Sequence, residues 1–131
     1  MGGTAASVLI VDCETRVLQT MGAMLRLKGH AVDCAASPDE ALRAVLGGLR
    51  PALMIAEFVL PEMDGVTLAE QIRCCLPGLA VIIASTGAAD LPDRLAKRGF
   101  GVLAKPFRGE ALAAAVEAAL GGSVPVCFCA G

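Results

Sequence analysis

Five short apolar runs, each followed by a segment of helical periodicity, constrain this chain more than any other feature. The first run covers residues 6–11, with Ser7-Val8-Leu9-Ile10-Val11 at its centre. It is continuous rather than alternating, the pattern of a strand covered on both faces. Residues 13–28 then place apolar side chains at Val17, Leu18, Met21, Met24, Leu25 and Leu27. Those spacings of three and four predict a helix, and Gly29 suits its end. A second strand at 31–34 leads into Ser37-Pro38-Asp39-Glu40, which reads as an N-cap, a first-turn proline and a capping-box acid. Ala41, Leu42, Val45 and Leu46 continue that helix to Gly47-Gly48. A third strand at 52–56 precedes Glu57, a turn-rich loop and a third helix at 66–75, which Pro77-Gly78 stops. A strand at 80–84, a short helix from Pro92 to Arg98, a strand at 102–104 and an Ala-rich helix at 109–120 complete the alternation.

Five β-then-α units in 131 residues predict one α/β domain. Its architecture is a doubly wound (βα)5 arrangement, a five-stranded parallel sheet with helices on both faces. The domain is expected over 6–120, with 121–131 a flexible or surface-docked tail. In such sheets ligands bind beyond the carboxyl ends of the strands, where the strand order reverses. That rule selects Asp12, Cys13 and Glu14 after strand one, Glu57 after strand three, Ser85 and Thr86 after strand four, and Lys105 after strand five. Two carboxylates and a lysine in one crevice suit either an anion held through a divalent metal or a self-contained ion pair. The hydroxyls of Ser85 and Thr86 are able to donate to a phosphate oxygen. Pro106 restricts Lys105 to extended backbone, and spacing leaves the isomer of that bond open.

Composition narrows the function classes. The chain is 56% hydrophobic with a net charge of −2, which excludes a disordered segment. Without a basic excess, and with four Phe but no Trp or Tyr, it lacks the means to neutralise phosphates or stack bases, so no direct nucleic-acid partner is expected. No apolar run approaches the ~20 residues of a membrane span. Residues 1–4 carry no basic region of a signal peptide. A cytoplasmic location is expected, with the six cysteines as reduced thiols. No CxxC pair occurs, and His30 is the single histidine, so a structural zinc site is not supported.

Val8-Leu9-Ile10-Val11-Asp12, then Glu57 followed by Leu60-Pro61-Glu62-Met63-Asp64-Gly65, then Lys105-Pro106-Phe107, together resemble the receiver domain of two-component response regulators. The resemblance covers residues 7–120. It implies a flavodoxin-like fold and a role in phosphorelay signalling. In the family a histidine kinase donates a phosphoryl group to an aspartate after strand three. Mg²⁺ is held by that aspartate and an acidic pair after strand one. A Ser or Thr after strand four and a Lys after strand five read the phosphate.

Carried over position by position, Asp12 matches the first acid of the pair and Lys105 the lysine. Cys13 stands where the second acid is expected, and Glu57 where the phosphoacceptor aspartate is expected. An ungapped alignment puts Ser85 at the hydroxyl position and Thr86 at the small-residue position. A one-residue shift exchanges them. Val102 stands where the family often has a Tyr or Phe that rotates on activation.

The two departures in the acidic pocket decide the expected function. Mg²⁺ requires hard oxygen ligands, and a thiol is a poor replacement. Mg²⁺ binding at Asp12, Cys13 and Glu57 is therefore expected to be weak or absent. Glu57 carries its carboxylate one methylene further than aspartate, and in-line phosphoryl transfer depends on position. The expectation is an atypical, non-enzymatic receiver that acts by protein–protein contact. The alternative is a working Mg²⁺-dependent receiver that accepts phosphate on Glu57 or a neighbouring acid. A small enzyme is disfavoured, since no nucleophile–base pair and no glycine-rich phosphate loop follow strand one. Expected partners are signalling proteins, a histidine kinase or an effector. A homodimer is expected through the face of helix four, strand five and the 109–120 helix, whose alanines suggest a covered element.

Overall fold

The computed structural model of the protein describes residues 5–86, 95, 99–121 and 127–128. Their elements are β1 (Ser7–Val11), α1 (Thr15–Leu27), β2 (Ala31–Ala35), α2 (Pro38–Leu46), β3 (Leu53–Glu57), α3 (Gly65–Cys75), β4 (Ala80–Ser85), β5 (Gly101–Ala104), α4 (Gly109–Leu120) and β6 (Cys127–Phe128). All pairings are parallel, in the order β2-β1-β3-β4-β5-β6. The predicted five-stranded parallel sheet is present. The correction is at its edge, where Cys127–Phe128 of the expected tail adds a sixth strand, pairing Val102 with Cys127 and Leu103 with Phe128. The helix expected from Pro92 to Arg98 lies outside the described residues, apart from Leu95, which is helical and buried.

The apolar runs are continuous because both sheet faces are covered. On one face Val8, Ile10, Leu53, Ile55, Ile82 and Leu103 pack with α1 and α4. On the other, Leu9, Val11, Met54, Ala56, Val81 and Ile83 pack with α2 and α3. Val102 is buried on this second face, where the family's rotating aromatic would stand. The 109–120 helix is not covered all round: Leu112, Ala115 and Val116 are buried, while Ala114 and Glu117 are exposed. Its apolar character comes from small alanines, which leave little surface to hide.

Local chemistry sets the helix starts. The Ser37 hydroxyl accepts from the Glu40 N–H at 3.1 Å. The Glu40 carboxylate reaches one residue further back than a standard capping box, to the Ala36 N–H at 3.0 Å. Asp64 caps α3 by accepting from the Thr67 N–H at 2.7 Å. His30 is structural, its Nδ1 accepting the Ala6 N–H at 3.1 Å.

Candidate functional site

The strand order reverses beside β1, whose neighbours are β2 and β3. Asp12 follows β1 and Glu57 ends β3, so the two acids flank that reversal. Strand alternation sets their direction. Asp12 continues the face of Ile10, Glu57 that of Ile55, and Lys105 that of Leu103, all on the α1–α4 side.

Lys105 closes the site. Its Nζ donates to Asp12 Oδ2 at 2.8 Å and also to Glu57 Oε1. The three side chains are 12%, 3% and 14% exposed, in the order Lys105, Asp12, Glu57. Backbone groups take the remaining carboxylate oxygens: the Glu14 N–H donates to Asp12 Oδ1 at 2.9 Å, and the Val59 N–H to Glu57 Oε2 at 3.3 Å. Lys105 is itself fixed by its N–H, which donates to the Ser85 carbonyl at 2.8 Å, and the Lys105–Pro106 bond is cis. Burial alone would lower the Lys105 pKa. The hydrogen bonds and charges of Asp12 and Glu57 outweigh it and hold the ammonium above the ordinary lysine range.

The structure therefore brings Asp12, Glu57 and Lys105 together and leaves the other expected residues around them. Cys13 and Glu14 are exposed. Ser85 is buried at the end of β4, on the face of Ile83. Thr86 is exposed and borders a hollow on the α1 side, with Lys105, Val17, Met21 and Phe107. Among the described residues, neither hydroxyl bonds to the Asp12–Lys105–Glu57 triad.

One positioning residue has a different role from the one its sequence suggests. Next to the cap Asp64, Gly65 reads as a relaxed backbone position. In fact a Cβ there would overlap the Glu57 carbonyl oxygen. The Gly65 N–H donates to the Phe58 carbonyl at 2.8 Å, so α3 begins pressed against the strand end that carries Glu57. The signal was the Asp64-Gly65 pair itself, but only the fold supplies the close approach.

The donor set fits Mg²⁺ poorly. Each carboxylate oxygen of Asp12 and Glu57 already accepts a hydrogen bond. The next side chain is the Cys13 thiol, a soft ligand. Among the described residues no group of three or more His, Cys, Asp or Glu is arranged to hold a metal. Nor is any described helix long and apolar enough to cross a membrane.

Comparison with known proteins agrees with the fold. Residues 8–117 match the Response regulator receiver domain family. The chain is 36% identical over 128 residues to the transcriptional regulatory protein GlrR of Escherichia coli, covering 95% of this chain and 28% of that protein. It is 37% identical over 117 residues to the sensor kinase CckA of Brucella abortus, covering 86% of this chain and 12% of that protein. The chain thus spans about a quarter or less of the length of these relatives. Among solved structures, a putative response regulator from Chloroflexus aurantiacus superposes with a TM-score of 0.79 at 30% identity, over 90% of this chain and 99% of the other. The chemotaxis response regulator CheY4 of Vibrio cholerae gives 0.79 at 27% identity, over 89% of this chain and all of the other (100%). The family match over most of the chain and the shared parallel fold lead to one conclusion: the chain belongs to the response regulator receiver domain family.

Proposed function

We propose that this receiver domain acts in two-component signalling by protein–protein contact, without the phosphorylation cycle of an aspartate-bearing receiver. The observation that carries this reading is the single ammonium of Lys105 bonded to both Asp12 and Glu57. An internal cation already occupies the pocket where an incoming phosphoryl group and a metal ion would have to sit, and it balances one of the two carboxylate charges there. The longer Glu57 side chain reaches that cation, and Cys13 removes the hard ligand that would recruit Mg²⁺ in its place. Glu57 then acts as a fixed negative charge against Lys105, and the domain presents one standing surface to its partner. That partner is a signalling protein, a kinase or an effector.

The β5 edge bears on where such a partner binds. β6 pairs along Val102 and Leu103, so a dimer on the β5–α4 face has to include β6 or displace it.

Incubation with acetyl phosphate and Mg²⁺, followed by intact mass measurement, tests the reading. The expected result is no mass increment beside a control receiver that labels. An increment absent from Glu57→Gln would mean that the phosphoryl group passes to a Glu57 carboxylate oxygen with release of acetate. The domain would then be a working switch. Cys13→Asp combined with Glu57→Asp is expected to restore labelling, because Asp12 and Lys105 already stand in position.

A further inference from the structure

Helix α1 carries two apolar stripes, and the sheet uses one of them. Leu18, Met21 and Leu25 are buried against the sheet. Beside them Val17, Thr20, Met24 and Leu27 follow spacings of three, four and three, the seam of a helix that packs on another helix; Val17 and Met24 are half-buried against the edge of the same core, while Thr20 and Leu27 are exposed. Leu27, which ends it, is 88% exposed, more than any other large hydrophobic residue described as exposed.

Two hollows flank this stripe. One, of about 390 Å³, lies near the start of α1, between Val17, Met21 and Phe107. The other, of about 210 Å³, lies near its end, between Met24, Leu27 and Leu112. Besides Lys105, whose charge is held by Asp12 and Glu57, each hollow has one acid and one base on its lining: Glu14 and Arg16 at the first, Glu110 and Lys28 at the second. None of these four side chains makes an ion pair among the described residues.

We infer that this face is a homodimer interface in which α1 packs antiparallel on α1 of a second copy. The arrangement is self-complementary, as a two-fold contact requires. Antiparallel packing carries Leu27 of one copy to the start of its partner's α1, where the larger hollow receives it. It sets Val17 against Met24 of the other helix and brings Thr20 near its own symmetry mate. The same operation places Lys28 opposite Glu14 and Glu110 opposite Arg16, twice over. A partner of one net sign would gain nothing from a rim with both signs at each end. A second copy satisfies both ends at once. None of these helix-to-helix contacts includes Glu57, although Lys105, which bonds it, lines the larger hollow.

Sedimentation equilibrium of the full chain over a range of concentrations tests it. The wild type is expected to show a monomer–dimer equilibrium. Leu27→Asp, at an exposed position where the fold is expected to stay intact by circular dichroism, is expected to weaken the dimer at least about tenfold, as loss of a side chain that fills a pocket of the partner does. Lys28→Glu alone is expected to weaken it less, and Glu14→Lys combined with Lys28→Glu to recover most of that loss. A monomer at every concentration overturns the inference. So does a dimer indifferent to Leu27→Asp, or a double variant no better than Lys28→Glu alone.

Discussion

Two ion-paired sites among the described residues differ more in their surroundings than in their chemistry. On α2, Arg43 Nε lies 3.0 Å from Asp39 Oδ2, one turn apart, with side chains 79% and 60% exposed. At the carboxyl edge of the sheet, Lys105 bridges Asp12 and Glu57 with its charges almost wholly removed from water. Water screens the first pair, and holding two long side chains together offsets much of its small attraction. The second is a buried cluster whose charges were desolvated on folding and now depend on one another. The same charges therefore decorate a helix in one place and hold three strand ends together in the other.

The largest expected effect follows from breaking the buried cluster. Lys105→Met keeps much of the side-chain volume but leaves two carboxylates facing each other without a cation. A loss of about 3–5 kcal/mol in urea unfolding is expected, the range for removing one partner of a buried pair. A loss below about 1 kcal/mol would mean that the triad is hydrated like the surface pair. Because the folded pKa of Lys105 lies above its unfolded value, near 10.4, its contribution is complete below about pH 10 and disappears as pH rises through the folded value. The stability difference between wild type and Lys105→Met should accordingly hold up to about pH 10 and shrink as the pH rises above it.

Gly65 tests whether the cluster also depends on backbone placement. In Gly65→Ala the new methyl overlaps the Glu57 carbonyl, so β3 and α3 must separate at the site. A loss of about 1–3 kcal/mol is expected, the usual cost of forcing atoms into a filled space. The Lys105–Glu57 contact should loosen with it, seen as a smaller stability loss from Lys105→Met in the Gly65→Ala background. Independent, additive losses would show that Gly65 does not position Glu57.

These two sites also mark what the sequence made legible. The continuous runs around Ile10, Ile55 and Ile82 announced buried strands, and Ser37 announced its helix, because period and capping are local properties. Asp12, Glu57 and Lys105 were identifiable because each follows a run and the reversal rule places such residues together. What stayed hidden was tertiary. No local pattern separates the stripe of Val17, Met24 and Leu27 from the buried one beside it. Nothing in the isolated residues Cys127 and Phe128 shows that they extend the sheet past β5. The alanines of α4 suggested a fully covered helix, yet among them only Ala115 is buried.

The smallest effect is expected at the exposed pair, and it completes the comparison. Arg43→Ala should cost about 0.3–0.5 kcal/mol at low salt, as for other one-turn helix pairs. Asp39 keeps its favourable place in the first turn of α2 when Arg43 is removed, so the helix start is not disturbed. The Debye length falls to about 3 Å at 1 M salt, comparable with the pair's own separation, so most of that cost should vanish there. The buried triad should keep its contribution under the same salt, because mobile ions do not enter it. A salt-independent loss above about 1 kcal/mol from Arg43→Ala would mean that the arginine stem packs on α2 through contacts unrelated to its charge, and exposure would no longer separate the two ion pairs.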